Sequence, residues 1–184
     1  MIYLMRHGLD DERFIGGHSD VPLVDEGIEQ VIKARDYVDK TLVINKIISS
    51  DIKRAVQTAE IMNSHRLGSI EYDSRLRELD KGLLTGMFRE EANLKYSEFV
   101  DLKDIYKRYP KGESLVDFYE RIKRDLNLIL SKDDTLIITH RGVINMIYFI
   151  LRDLEINYNK SMFDVEHASI HECDLSRKLI RRIY

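Results

Sequence analysis

Short apolar runs of strand length alternate with stretches of helical period along this chain, and no other feature restricts its fold so strongly. "MIYLM" and "DTLIIT" are short apolar runs that read as buried strands, and "KIISS" and "SIEYD" read as two further short strands. Between them the period is that of a helix. Ile28, Val31, Ile32, Arg35 and Val38 share one face, as do Ile52, Ala55, Val56, Ala59 and Met62. Leu115, Phe118, Tyr119, Ile122, Leu126 and Ile129 form the clearest amphipathic helix, started by Ser114 with Asp117 three residues on. "VINMIYFIL" is apolar nearly all round, the mark of a well-covered helix. Strands that alternate with helices demand crossovers and a mostly parallel sheet covered on both faces. The tail, "ASIHECDLSRKLIRRIY", holds two β-type runs around a turn at 174–176. The expected fold is therefore an α/β class, three-layer α/β/α sandwich with a mostly parallel sheet and an antiparallel edge hairpin at the C-terminus. At 184 residues, one domain over 1–184 suffices to build the core. The charged segment 89–109 keeps Phe99, Leu102, Ile105, Tyr106 and Tyr109 in helical register, so one or two helices are expected there.

The charge balance removes several function classes. Twenty-nine basic and thirty-two acidic side chains leave no global positive field for a nucleic acid or an acidic membrane, so neither is an expected partner. Any bound anion must be held locally. The lone Cys173 excludes an internal disulfide and the paired-thiolate zinc sites, and no cofactor or metal is expected. The start lacks a signal-peptide pattern, which suggests a cytoplasmic protein. Monomer and homodimer both remain open.

In a parallel sheet the ligand sits outside the carboxyl ends of the strands. Three of the predicted strands end in reactive groups: the first in Arg6 and His7, the second just before Arg54, the late one in His140 and Arg141. If these ends are neighbours, two imidazoles sit within a cationic ring. That is a pocket for a tetrahedral oxyanion, because guanidinium groups pair bidentately with phosphate oxygens. Arg54 would lie in the first turn of its helix, where free N–H groups also favour an anion. Histidine can act as a covalent nucleophile, and nearby arginines disfavour the imidazolium. Glu78, in "LRELDKG", is the candidate proton donor.

"LMRHG", "SSDIKRAVQTAEIM", "LRELDKG", "PKGES" and "IITHRGVIN", in that order, resemble the histidine phosphatase superfamily, the phosphoglycerate mutase-like proteins. The resemblance implies that His7 takes the phosphoryl group as a phosphohistidine, that Arg6, Arg54 and His140 hold its oxygens, and that Glu78 is the acid. Arg13, in a stretch similar to the family's R-x-x-G…D-x-P-L pattern, is implied to touch substrate. The family needs no metal. The implied activity is a metal-independent phosphomonoester hydrolase acting on a small phosphorylated metabolite, with a phosphoglycerate-type mutase or a catalytically silent phosphate-binding module as alternatives. The chain departs from the family pattern at Leu9 and Asp10 after the glycine, at Leu84 and Thr85, and at Arg141. Asp10, Asp11 and Glu12 near the mouth favour a monophosphate over a bisphosphate. His167 and His171 alternate along a predicted strand and read as exposed strand residues, while His18 has no supporting context.

Overall fold

The computed structural model describes residues 1–65, 68–131, 134–159 and 161–184. Six strands form one sheet: β1 Ile2–Arg6, β2 Lys46–Ser49, β3 Ile70–Tyr72, β4 Thr135–Thr139, β5 Ile170–Asp174 and β6 Leu179–Arg182. Their order is β3-β2-β4-β1-β5-β6. The first four are parallel, and β5 and β6 add antiparallel at the end beside β1. Basic residues on the outermost strand, Arg181 and Arg182, mark it as a charged edge of the kind that resists sheet-to-sheet pairing.

The two-residue pleat divides the sheet's side chains between two cores. Met5, Ile47, Leu136, Ile138 and Ile170 pack against α1 (Asp25–Thr41) and α2 (Lys53–Asn63). Ile2, Leu4, Ile48, Ile137, Cys173 and Ile180 pack against α5 (Leu115–Ile129) and α6 (Arg141–Leu151) on the other face. This is the expected three-layer sandwich. Ser114 caps α5 as anticipated: its Oγ accepts from Asp117 N–H while the Asp117 carboxylate accepts from Ser114 N–H.

Three local expectations need correction. The buried face of α1 runs through Gly27, Val31, Ala34 and Val38, whereas Ile32 is exposed. The stripe in α2 is Arg54, Ala55, Thr58, Ala59 and Met62, shifted from Val56 because the helix must deliver the buried arginine. Segment 89–109 does form two helices, α3 (Arg89–Lys95) and α4 (Ser97–Val100), but the helical register expected through Tyr109 stops at Val100. Leu102 and Tyr109 are buried there without a helix, and Tyr106 is exposed.

Pairing of β1 with both β4 and β5 fixes the functional end of the sheet. Arg6 lies opposite Thr139, and His7 N–H still donates to Thr139 C=O at 3.0 Å. Ala168 N–H donates to His7 C=O at 3.1 Å from the other side. The chain is thus held on both flanks as it leaves the sheet. Gly8 follows because a Cβ there would lie 2.6 Å from Gly27 O and 2.7 Å from Val31 Cγ2. Only glycine lets the first loop lie against α1 so closely.

Candidate active site

Four of the six predicted residues converge at the carboxyl ends of β1, β2 and β4. Arg6, His7, Arg54 and His140 are all buried, and the two imidazole rings stand 5.1 Å apart. The Arg54 guanidinium reaches across from the second residue of α2. Its Nε–H donates to His7 Nε2 at 3.1 Å, and its Nη2 donates to Gly17 C=O at 2.8 Å. On the other edge of the ring, His7 Nδ1 lies 2.7 Å from Gly8 C=O. A carbonyl can only accept, so the network assigns the proton to Nδ1 and the lone pair to Nε2. Burial, then the Arg54 cation, holds His7 well below the ordinary imidazole range. The ring is therefore neutral at physiological pH with its Nε2 lone pair directed at a cationic pocket.

His140 is equally held neutral by burial and Arg54. Its Nε2 meets Ser50 Oγ at 2.9 Å, whereas its Nδ1 has no hydrogen-bond partner in the protein. Arg6 donates through Nη1 to Val165 C=O at 3.0 Å and touches His167 Nε2 through Nη2, leaving Nε unpartnered. Burial, then Arg141, lowers the Arg6 guanidinium to about 9, so it remains a cation at neutral pH.

Glu78 is carried by the loop between β3 and α3. Its Oε1 accepts from Leu79 N–H at 2.9 Å and its Oε2 from Gly142 N–H at 3.0 Å in the first turn of α6. Neighbouring arginines do not neutralise it, because Arg75 pairs with Asp73 and Arg77 with Asp51. Its backbone is clamped instead. Arg121 of α5 donates to the carbonyls of Arg75, Arg77 and Glu78 while pairing with Glu113. His18 Nε2 donates to Glu78 C=O at 2.8 Å, so this histidine has a positioning context after all.

Arg13 is the exception. Its guanidinium is exposed and chelated by Asp11 two residues away, with Nε 2.9 Å from Oδ1 and Nη2 2.5 Å from Oδ2. The structure does not bring it to the pocket, since an adjacent carboxylate competes for it locally. Of the acidic run, Asp11 is spent on Arg13, whereas Asp10 keeps its carboxylate inside the pocket, 3.5 Å from Arg54 Nε.

A cavity of about 250 Å³ opens onto these groups, and His7, Arg6, Arg54 and Glu78 all line it. Phe14, Phe118 and Tyr158 give it apolar wall; Arg141 and Asn145 add polar groups. Asn145 was missed, although a single amide within the apolar run of α6 was a usable signal. His167 and His171 were misread. His167 lies in the turn before β5 with its ring 5.7 Å from that of His7, and His171 is fully buried between Tyr148 Oη and Ser169 Oγ. One donor atom each of His7, Asp10 and His167 lie within 4.8 Å of one another. Arg6 and Arg54 crowd the same space, which suits an anion and repels a cation.

Known proteins resemble this chain in sequence and in fold. "Probable phosphoglycerate mutase GpmB" of Proteus mirabilis is 38% identical over 138 residues, covering 71% of this chain and 63% of that protein. "Phosphoglycerate mutase-like protein 4" of Arabidopsis thaliana is 33% identical, covering 80% of this chain and 69% of that protein. The chain thus spans less than two thirds of the GpmB length. Among solved structures, Bacillus stearothermophilus YhfR superposes with a TM-score of 0.79 at 26% identity, covering 94% of this chain and 91% of that one. The alpha-ribazole phosphatase of Shigella flexneri gives 0.81 at 22% identity, covering 99% and 94%, a likeness of fold. The profile of the histidine phosphatase superfamily (branch 1) matches residues 2–181, nearly the whole chain including both histidine-bearing strand ends, and the chain belongs to that superfamily.

Proposed function

We propose that this chain, as one domain, is a cytoplasmic, metal-independent phosphomonoester hydrolase acting on a small phosphorylated metabolite through a phosphohistidine at His7. The observation that carries the reading is the neutral His7, with Nδ1–H fixed by Gly8 C=O and the Nε2 lone pair facing Arg54. In this scheme Nε2 attacks phosphorus and the P–O bond to the alcohol breaks. Glu78 gives its proton to the leaving oxygen, then takes one from the water that hydrolyses the phosphohistidine. Arg6, Arg54 and His140 hold the nonbridging oxygens, with the two guanidiniums supplying the charge stabilisation phosphoryl transfer requires. His140 Nδ1 and Arg6 Nε, buried without protein partners, are available to those oxygens.

No helix among the described residues is long and apolar enough to cross a membrane. The names of the GpmB relatives favour a second reading, transfer of the phosphoryl group between positions of one molecule. The test is phosphate release from a panel of phosphomonoesters in the presence of a chelator, wild type against His7→Ala. Release that survives chelation and disappears in the variant supports the hydrolase. An isomerised phosphate ester in place of free phosphate supports the mutase, and release by His7→Ala at wild-type rate overturns both.

A further inference from the structure

Asp10 is used by none of these roles, yet it is among the side chains nearest the nucleophile. It follows Gly8 by two residues, and its backbone is pinned by a bridge to Leu23. Its Oδ2 lies 3.5 Å from Arg54 Nε, the same atom that donates to His7 Nε2, and its Oδ1 lies 4.0 Å from His167 Nε2. A phosphorus atom poised for attack stands roughly 3–3.5 Å from the ring nitrogen. It would therefore enter the space in which atoms of His7, Asp10 and His167 already lie within 4.8 Å of one another.

Two like charges at that separation cannot both persist in a partly desolvated site. We propose that Asp10 is a further specificity-determining residue of the phosphate pocket: its carboxylate occupies the oxyanion position beside Arg54, so that phosphate binds with uptake of one proton by the Asp10–phosphate pair. The inference rests on the phosphate-pocket reading above. It assigns to the site a preference for monoanionic phosphate esters and a weak hold on dianionic product.

The charged and titratable groups around Asp10 come from four elements. Arg54 faces it from α2, Arg6 and His7 from the end of β1, His167 from the turn before β5, and Glu12 from its own loop. Arg6 and Arg54 stay cationic, while His7 and His167 are held neutral, the latter pushed down to about 3 by burial and Arg6. Asp10 and the ligand are then the pair that exchanges a proton beside Arg54; Glu78, which also lines the cavity, is the site's other proton-carrying carboxyl, and Asp10→Asn separates the two because it leaves Glu78 in place. Burial already raises the Asp10 carboxyl against the pull of Arg54, and a bound phosphate raises it further. Affinity is greatest below the free-state value, falls as pH rises toward the bound-state value, and levels off above it.

The experiment measures inorganic phosphate binding to the intact chain from pH 5 to 8.5 by calorimetry in two buffers of different ionisation enthalpy. The comparison is wild type against Asp10→Asn, which keeps an oxygen for Arg54, with Asp10→Ser as a second variant. Both variants should bind phosphate at least about tenfold tighter at pH 8. The gap should close toward pH 5, and the wild type's extra proton uptake should vanish in the variants. Equal or weaker binding by the variants, a gap that does not change with pH, or no phosphate binding by any of the proteins overturns the proposal. Trapping of phosphohistidine on wild-type protein reports separately on the hydrolase. A label without the pH-dependent gap sinks only the Asp10 role, and the gap without a label sinks only the hydrolase.

Discussion

Gly142→Ala isolates how tightly Glu78 is docked. A Cβ at Gly142 would overlap Glu78 Oε1 and stand 2.9 Å from both Glu78 Cδ and Phe118 Cε1. Phe118 is buried in the α5–α6 core and cannot retreat, so the carboxylate must move. Moving it breaks the bonds from Gly142 N–H at 3.0 Å and Leu79 N–H at 2.9 Å. A typical hydrogen bond contributes about 0.5–1.5 kcal/mol, and a buried donor left unsatisfied costs about 1–3 kcal/mol. Against this, alanine in place of helical glycine gains about 0.5–1 kcal/mol. Even if water replaces most of one bond, the losses win, and the variant should be about 1–2 kcal/mol less stable by urea unfolding. Misplacing a catalytic group by about 1 Å costs on the order of 10²-fold in rate, so kcat should fall by about that factor with phosphate binding nearly unchanged. In a Glu78→Ala background the overlap with the carboxylate disappears and only the 2.9 Å approach to Phe118 Cε1 is left, so the cost of Gly142→Ala should shrink. A single variant that is more stable than wild type with unaltered kcat would refute both the docking and the role built on it.

Acid should destabilise the protein earlier than carboxylate titration alone would. Burial holds His7 and His140 well below the usual range, His167 at about 3 and His171 at about 4. Below pH 6.5 the unfolded chain binds protons that these folded sites refuse, so stability falls as pH drops. For the fully buried His171 this amounts to about 2 kcal/mol by pH 5. Urea unfolding at pH 7 and pH 5 reads it, and equal stabilities would contradict the neutral imidazoles. Arg121→Met should lower kcat about tenfold with little change in KM, because it removes the donors to the Arg75, Arg77 and Glu78 carbonyls while keeping an apolar stem over Phe118. Partial recovery of kcat by Arg121→Lys checks positioning against mere loss of fold.

The architecture was legible because strand and helix periods are local. β1 and β4 are mostly apolar runs that need no knowledge of their neighbours, and the shorter β2 and β3 carry enough strand-forming residues to be seen beside them. Convergence of Arg6, His7, Arg54 and His140 followed from one topological inference, that parallel strands end on the same side. What escaped depends on distant contacts. Nothing within the sequence around Arg13 reveals that Asp11 will claim it, since either residue could face solvent or substrate. His18 and Arg121 act on backbone carbonyls of a loop some sixty and forty positions away, a relation that leaves no spacing signal. His171 alternates with His167 as a strand pair would, but the strand begins only at Ile170. The two histidines therefore obey different rules, one in a turn at the pocket and one in the core.

The residues hardest to foresee share a physical task, which is to keep a buried cationic pocket foldable without an anion in it. Arg6 and Arg54 are both about nine-tenths or more withdrawn from solvent, and a buried charge without compensation is costly. The backbone carbonyls of Val165, Gly17 and Ser19 take part of that charge, and Asp10 takes more. Yet Arg6 Nε and His140 Nδ1 are left without protein partners. Full satisfaction from within the chain would fill the oxyanion position and leave nothing for a substrate to gain. The fold thus satisfies the pocket incompletely, and a tetrahedral anion completes what the carbonyls and one carboxylate only begin.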